Sequence, residues 1–566
     1  MSFVFLDDQG SGEQFVFRNP KRIISAQTRK DIPKAFAEID AAIADGYWLA
    51  GALSYELGHA LEDKFEPPRK APLIHLGVFD TPDKNPPASF LYTRKKPGIK
   101  FAPSWTEDEY LSRFDKVQSY LESGDCYQVN LTFPMHATSD VSPTQLYAAY
   151  RRQQPGRYGA VIALNDIKLV SFSPELFFEK RGSTLRMRPM KGTRPRGDDD
   201  ARILEDMRAE PKSQAENLMI VDLLRNDLSR LSKTGSVNVP ELFTLETYPT
   251  LHQMTSQVTG ELREGVKWRE ILSSLFPCGS VTGAPKIRAM EIIEALETHP
   301  RDFYCGSVGY ISPQGDASFS VAIRTVQMQD NHLRYDVGSG VVLDSDGADE
   351  YQECLLKAKI FERDDDSVFE TFRLDADGHI PRKAYHIDRI SNAIGYDVKK
   401  EFETLLASLP KKDSRVKIEA THGRLSIKSM PLDKIKTPVR LALSRYPLGA
   451  KVQHRKTKTN LRDFYEGERA RIRAQTDATE VIFTNEDDFI CEGSFTSIFV
   501  KLGDQLYTPP LDEGILPGVL RQALIDTGKA IEKRLVLNDL KQSENIYVGN
   551  SLRGLLPAIF VDFLSH

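Results

Sequence analysis

The chain has 566 residues, 40% hydrophobic and 27% charged, enough for two or more domains that each bury a core. Lysine and arginine number 75 against 80 aspartates and glutamates, and a net charge of -5 offers neither nucleic acid nor an anionic membrane a basic surface. The start, Met1 to Asp8, lacks a basic region followed by an apolar run, and no stretch of about 18 uninterrupted apolar residues exists to span a bilayer. The five cysteines are scattered without a CxxC pair, which excludes the usual cysteine zinc site and fits a reduced, cytoplasmic protein.

In chain order, strand-like runs at 160–164 and 169–172 lead into Ser171-Phe172-Ser173-Pro174-Glu175-Leu176. Lys191 follows in a basic turn, Arg188-Pro189-Met190-Lys191-Gly192-Thr193-Arg194-Pro195-Arg196. A lysine amine attacks only once deprotonated, and its ordinary pKa of about 10.4 leaves it charged at neutral pH. Arg188, Arg194 and Arg196 are candidate cations for lowering it, while a solvated lysine is the plainer reading. A 3.6-type pattern at Leu218, Ile220, Val221, Leu224, Leu228 and Leu231 predicts a helix over 215–231 that carries Glu216.

Two glycine-rich stretches follow, Cys278 to Lys286 and Val337 to Val342. The first runs into a predicted helix over 286–296, where free backbone N–H groups suit a carboxylate as well as a phosphate, and it lacks the GxxxxGK[ST] spacing. In a helix, Glu350 and Glu353 share one face with Lys357 a turn further on. Two carboxylates completed by water and an anionic substrate suit magnesium, though a solvated helix face has the same spacing.

The acidic run Phe361 to Ser367 marks the seam, giving a domain over 1–361, a linker over 362–367 and a domain over 368–566 that opens on a strand over 368–374. Beyond it stand Tyr385-His386-Ile387-Asp388-Arg389-Ile390, then Arg455 to Tyr465 with Lys456 and Lys458, then Cys491-Glu492-Gly493-Ser494-Phe495-Thr496-Ser497-Ile498-Phe499. Each alone reads as solvated surface. Both halves mix strands and helices, an α+β or α/β composition.

The order of motifs is more informative than any one of them. Trp48 to Gly58, Ser171 to Leu176, Pro189 to Thr193, Glu216 to Asp227, Gly279 to Pro285, Ser320 to Thr325 and Gly338 to Val342 together resemble the chorismate-utilising enzymes over roughly residues 1–361. The resemblance implies an α+β fold of β-sheets flanked by helices. The sequence PMKGT resembles the aminodeoxychorismate synthase component I branch, where anthranilate synthases carry alanine at the position of Lys191. Gln128 stands where isochorismate- and salicylate-forming relatives carry a water-activating lysine.

The implied roles are nucleophile for Lys191 and proton donor for Glu175. Glu216 and Glu353, with Glu350 nearby, would hold Mg2+. Gln128, His252, Thr282, Gly283, Arg324, Gly338, Ser339, Gly340 and Lys357 would line the substrate pocket.

The later motifs resemble the class IV pyridoxal-phosphate enzymes, a group that includes branched-chain and D-amino-acid aminotransferases and 4-amino-4-deoxychorismate lyase. An α/β domain is implied. Lys458 would carry the cofactor covalently, with Lys456 as the alternative in the same basic run. Glu492 would pair with the pyridinium nitrogen. Arg389 would bind the phosphate, helped by backbone N–H groups near Ser497-Ile498 and Ile515-Leu516; Ser497 replaces the usual asparagine of the EGSxxN pattern.

Together the two resemblances imply a fused enzyme that aminates chorismate at C4 and then releases pyruvate to leave 4-aminobenzoate. None of the cysteines sits in a glutaminase-type elbow, so ammonia is expected free or from a separate glutamine amidotransferase subunit. A homodimer through the second domain is expected by analogy. The rival readings are an anthranilate synthase component I fused to a branched-chain or D-amino-acid transaminase, and a non-catalytic scaffold.

Overall fold

The computed structural model describes residues 2–66, 71–91, 93, 97–151, 157–195, 200–247, 251–362, 367–421, 424–433, 435–448, 458–459 and 462–561. Arg196, Lys456 and residues 363–366 of the acidic seam lie outside them. The chain divides into two compact units, 1–363 and 364–566. Among the described residues no helix is long and apolar enough to cross a membrane.

The first unit is built on two large, largely antiparallel sheets. Side chains alternate across a strand, so each strand here serves two cores at once. In Trp48–Leu53, Leu49 and Leu53 join a cluster with helices Ile32–Ala44 and Trp268–Leu275, while Ala50 and Ala52 join another. In Tyr158–Leu164, Ala160, Ile162 and Leu164 meet Ala50 and Ala52 in that second cluster. Val161 instead faces a third, with helices Glu107–Glu122 and Gly347–Ala358. The sheets therefore pack face to face, with helices covering both outer faces.

Helix Pro211–Ser229 shows how local sequence sets the site. Proline at the first turn is preorganised for a helix start. Ile220, Val221, Leu224 and Leu228 bury against the sheet, which fixes the rotation of the helix and hence the direction of Glu216 one turn earlier. Leu218, part of the expected apolar stripe, is exposed instead. The predicted helix over 286–296 is observed as Lys286–Leu296.

The second unit has a three-stranded antiparallel sheet and an eight-stranded mixed sheet. Strand Val368–Leu374 packs Phe372 and Leu374 against Ile387 and Ile390 of helix Lys383–Ile394 and Phe402 of helix Lys399–Ala407. The eight-stranded sheet includes Ile490–Gly493 and Ser497–Leu502, separated by the bend at 494–496, so Glu492 lies near the end of a strand.

Candidate functional sites

In the first unit, Lys191 lies on strand Met190–Pro195, with a bulge between Lys191 and Thr193 and Gly192 at φ 62°. Its Nζ stands 3.6 Å from Glu216 Oε2 and donates to Gln128 Oε1 at 3.4 Å. Gln128 is fully buried, and among the described residues its Nε2 has no partner. A Cβ on Gly340 would lie 3.3 Å from both Lys191 Nζ and the Gln128 amide, so glycine there keeps the pocket open. Gly283 has φ 145°, and a Cβ on it would lie 2.1 Å from the Gln128 carbonyl oxygen. That close backbone approach fixes the strand end carrying Gln128.

Two of the three cations expected to act on Lys191, Arg188 and Arg194, pair with other carboxylates, and the third, Arg196, lies outside the described residues. Arg188 pairs with Glu246 and, at 3.4 Å, with Glu241, while Arg194 pairs with Glu210 at 2.7 Å. The neighbours of Lys191 are a carboxylate and an amide. Opposite signs on facing elements have paired off, which a linear run of arginines cannot reveal.

Glu175 is buried and accepts a 2.6 Å hydrogen bond from Ser280 Oγ. Burial pushes its carboxyl up to about 7, against the opposing pull of the Ser280 bond and the charge of Lys191. A carboxyl of that kind is protonated for much of its time near neutrality and suits proton donation. Ser280 lies in the first glycine-rich stretch, yet its hydroxyl was not among the expected site groups.

The other expected residues fall into place unevenly. Lys357 Nζ donates to the Gly338 carbonyl at 2.7 Å and pairs with Glu353 at 2.9 Å. Arg324 lies close enough to Lys357 to oppose its charge, and burial lowers the Arg324 guanidinium. Among the described residues Arg324 has no carboxylate partner, so it is an available cation for a substrate carboxylate. Ser339 shares a 3.1 Å hydrogen bond with Tyr110.

Thr282 is fully buried and donates its hydroxyl to the Cys278 carbonyl at 2.8 Å, so its hydrogen is already engaged. His252 is also fully buried, with Nδ1 bonded to Thr247 and Nε2 to Asp200, each at 3.0 Å. It links two strands to helix Asp200–Ala209 rather than presenting a free ring nitrogen.

The carboxylates expected to hold magnesium stand in separate contacts. Among the described residues no group of three or more His, Cys, Asp or Glu side chains could hold an ion. Glu216 faces Lys191, Glu353 faces Lys357, and Glu350 accepts from Ser345 Oγ at 2.8 Å. The three do not form a ready cage. Glu216 and Glu353 are nevertheless hard oxygen donors of the number magnesium takes from protein when water and substrate complete its shell.

In the second unit, the Lys458 carbonyl accepts from the Phe369 N–H at 2.8 Å. The Lys458 Nζ lies 4.8 Å from the Phe369 ring centre. Burial pushes its amine down to about 7; Glu370 opposes this, and Arg389, Arg462 and Arg415 add to it. Glu492 Oε1 accepts from Tyr465 Oη at 2.6 Å and Oε2 from the Leu516 N–H at 3.0 Å. The Leu516 N–H therefore orients Glu492 rather than waiting for a phosphate.

Ile515 is a core residue, whereas Ser497 and Ile498 lie in a sheet ladder against Gly549 and Val548. A Cβ on Gly518 would lie 2.5 Å from Ser497 Oγ, so glycine leaves space at that hydroxyl. Arg389 is held by Glu370 and by the Pro517 carbonyl. A low-pKa lysine, an oriented carboxylate and an anchored arginine fit pyridoxal phosphate.

The first unit thus carries a site around Glu175 and Lys191 between two packed sheets, and the second carries another around Lys458 and Glu492. The chain belongs to the chorismate binding enzyme family, whose model matches residues 1–363, and the amino-transferase class IV model matches residues 367–559.

Aminodeoxychorismate synthase component 1 of Klebsiella aerogenes is 44% identical over 255 residues, 44% of this chain and 56% of that protein. Anthranilate synthase component 1 of Aquifex aeolicus is 38% identical over 269 residues, 47% of this chain and 54% of that protein. The chain thus spans about half the length of these relatives. A crystal structure of anthranilate synthase component I from Streptococcus pneumoniae TIGR4 superposes with a TM-score of 0.54 at 23% identity, covering 64% of this chain and 90% of that one, a likeness of fold.

Proposed function

We propose that the chain makes 4-aminobenzoate from chorismate in two steps, one in each unit. The observation that carries the reading is the grouping of Lys191 with Gln128 and Glu216 beside a buried Glu175 whose carboxyl is near neutrality. Lysine rather than alanine at 191 favours the aminodeoxychorismate branch over the anthranilate one.

In the first unit Lys191 Nζ adds to C2 of chorismate as the C4 hydroxyl leaves as water, with Glu175 donating the proton. Ammonia then adds at C4, Lys191 departs from C2, and the proton released returns to Glu175. The product is 4-amino-4-deoxychorismate. Arg324 and Lys357 hold carboxylates of the substrate, and Gln128, which is no base, leaves water unactivated. Magnesium, where bound, supplies a hard cation for the ring carboxylate, with Glu216 and Glu353 as donors and Glu350 beside them.

In the second unit pyridoxal phosphate, where bound, supplies an electron sink for the carbon bearing the new amine. Glu492 would hold the ring nitrogen and Arg389 the phosphate. Lys458, with an amine near pKa 7, removes the ring proton as pyruvate departs, and aromatisation drives the step. No second keto acid is consumed.

Ammonia comes from solution or from a separate glutamine amidotransferase subunit. The five free, buried cysteines accord with a reduced cytoplasmic setting. The test is nitrogen supply: with chorismate, the full chain should form 4-aminobenzoate from ammonium, and from glutamine only after a glutaminase subunit is added. Product from glutamine alone would contradict this division.

A further inference from the structure

The carboxylate of Glu370 has no role in the reactions above, although it is among the most buried charges in the molecule. It lies on strand Val368–Leu374 with the same parity as the core residues Phe372 and Leu374. An unpaired carboxylate in that place is strongly unfavourable. Glu370 is instead saturated: Oε1 accepts from Arg389 Nε at 2.6 Å, and Oε2 accepts from Arg389 Nη2 at 2.8 Å and from His386 Nδ1 at 2.7 Å. His386 and Arg389 reach it together because they are i and i+3 on helix Lys383–Ile394.

The protons in this array have one consistent placement. Burial would raise Glu370, but Arg389 and the bonds from His386 and Arg389 outweigh it and hold the carboxyl down to about 2. Burial also lowers the basicity of His386, leaving a neutral ring with its hydrogen on Nδ1. Nε2 then accepts from Ser551 Oγ at 2.7 Å, and Ser551 Oγ accepts from Arg382 Nε at 3.1 Å. Ser551 lies in the turn 551–553 between strands Asn545–Asn550 and Gly554–Phe560, to which the sequence assigns no role.

The order Ser551, His386, Glu370 matches a nucleophilic triad. Ser551 is nevertheless buried and already accepts from a guanidinium, so the array orders its neighbours rather than attacking a substrate. Arg389 has five N–H groups. Two are engaged by Glu370 and one by the Pro517 carbonyl at 2.8 Å, which among the described residues leaves two for an anion.

We propose that Glu370 is a positioning residue for the cofactor pocket: it locks the guanidinium plane of Arg389 and sets negative charge against the arginines around Lys458. The proposal rests on the class IV cofactor reading. Among the described residues, the charged groups acting most strongly on Lys458 are Glu370, Arg389, Arg462 and Arg415, with His386 adjacent. Lys417 shares the Phe369 ring with Lys458 and is paired with Glu419 at 3.0 Å. Removing the charge of Glu370 leaves the three arginines unopposed, which disfavours the Lys458 ammonium and lowers its titration midpoint.

The test follows the pH dependence of Lys458 modification by trinitrobenzenesulfonate in the cofactor-free full chain, read by peptide mass spectrometry. Glu370→Gln should lower the midpoint by on the order of 1 pH unit, while Ser551→Ala leaves it in place. An unchanged midpoint in folded Glu370→Gln overturns the electrostatic part.

Glu370→Asp keeps the charge but lengthens the reach to Arg389, and it carries the test if the glutamine variant does not fold. Its midpoint should match wild type while pyridoxal phosphate affinity, titrated by visible absorbance, weakens roughly tenfold. Wild-type affinity in that variant overturns the positioning of Arg389. A wild-type chain that takes up no pyridoxal phosphate overturns the cofactor reading alone, because the modification profile needs no cofactor.

Discussion

Lys191 Nζ and Glu216 Oε2 stand 3.6 Å apart, a pair that joins strand Met190–Pro195 to helix Pro211–Ser229 at one site. Two motifs separated in sequence thus meet through opposite charges. The same pairing principle draws Arg188 and Arg194 away to Glu246 and Glu210.

Replacing Lys191 with alanine should slow 4-aminobenzoate formation from chorismate by at least roughly a hundredfold. Lyase activity on supplied 4-amino-4-deoxychorismate should be intact, since Lys458 is in the other unit. Following aromatic product from each substrate checks this. Equal loss of both activities contradicts the division of labour.

Glu175 gives the first step a pH dependence with a definite sign. Its carboxyl must be protonated to donate, so single-turnover amination should fall as pH rises through about 7. Its pKa is raised on folding, so its stability contribution is fully present below about 4.5 and is lost as pH rises toward about 7. Glu175→Gln should therefore lose roughly a hundredfold or more in rate. At pH 8 the same variant should unfold at a temperature no lower than wild type, because an ionised buried carboxylate has been removed. A variant that is both active and thermally weakened would show that Glu175 is structural.

Much of this arrangement is legible in the chain, and the limits have a physical cause. Helix Lys286–Leu296 and strand Val368–Leu374 follow from local periodicity and flanking residues. Glu216, Lys191 and Gln128 come from motif order. The Ser280 hydroxyl on Glu175 is a tertiary contact across more than a hundred residues, which no local pattern encodes. Glu370 leaves a faint trace, a lone carboxylate at a core-facing strand position, but its partners His386, Arg389 and Ser551 come from a helix and a distant loop.

Lys458→Ala should abolish both the visible absorbance of bound pyridoxal phosphate and pyruvate release, and leave ammonium-dependent consumption of chorismate unchanged. Lys456→Ala should retain the visible band. A band lost only with Lys456 would move the cofactor lysine to that position.

Gly283→Ala should damage the first unit selectively. A Cβ there would lie 2.1 Å from the Gln128 carbonyl oxygen at φ 145°, a conformation that alanine avoids. We expect a loss of more than about 1 kcal/mol in the stability of that unit and weaker chorismate consumption, with pyruvate release from supplied 4-amino-4-deoxychorismate retained. Calorimetry on the full chain reads the stability loss, and an unshifted transition contradicts the close approach.

The central claim is the identity of the aromatic product. The full chain, given chorismate, ammonium, magnesium and pyridoxal phosphate, should yield 4-aminobenzoate and pyruvate in equal amounts by chromatography and mass spectrometry. Anthranilate in place of 4-aminobenzoate would contradict the account, because it would mean that Lys191 does not direct amination to C4.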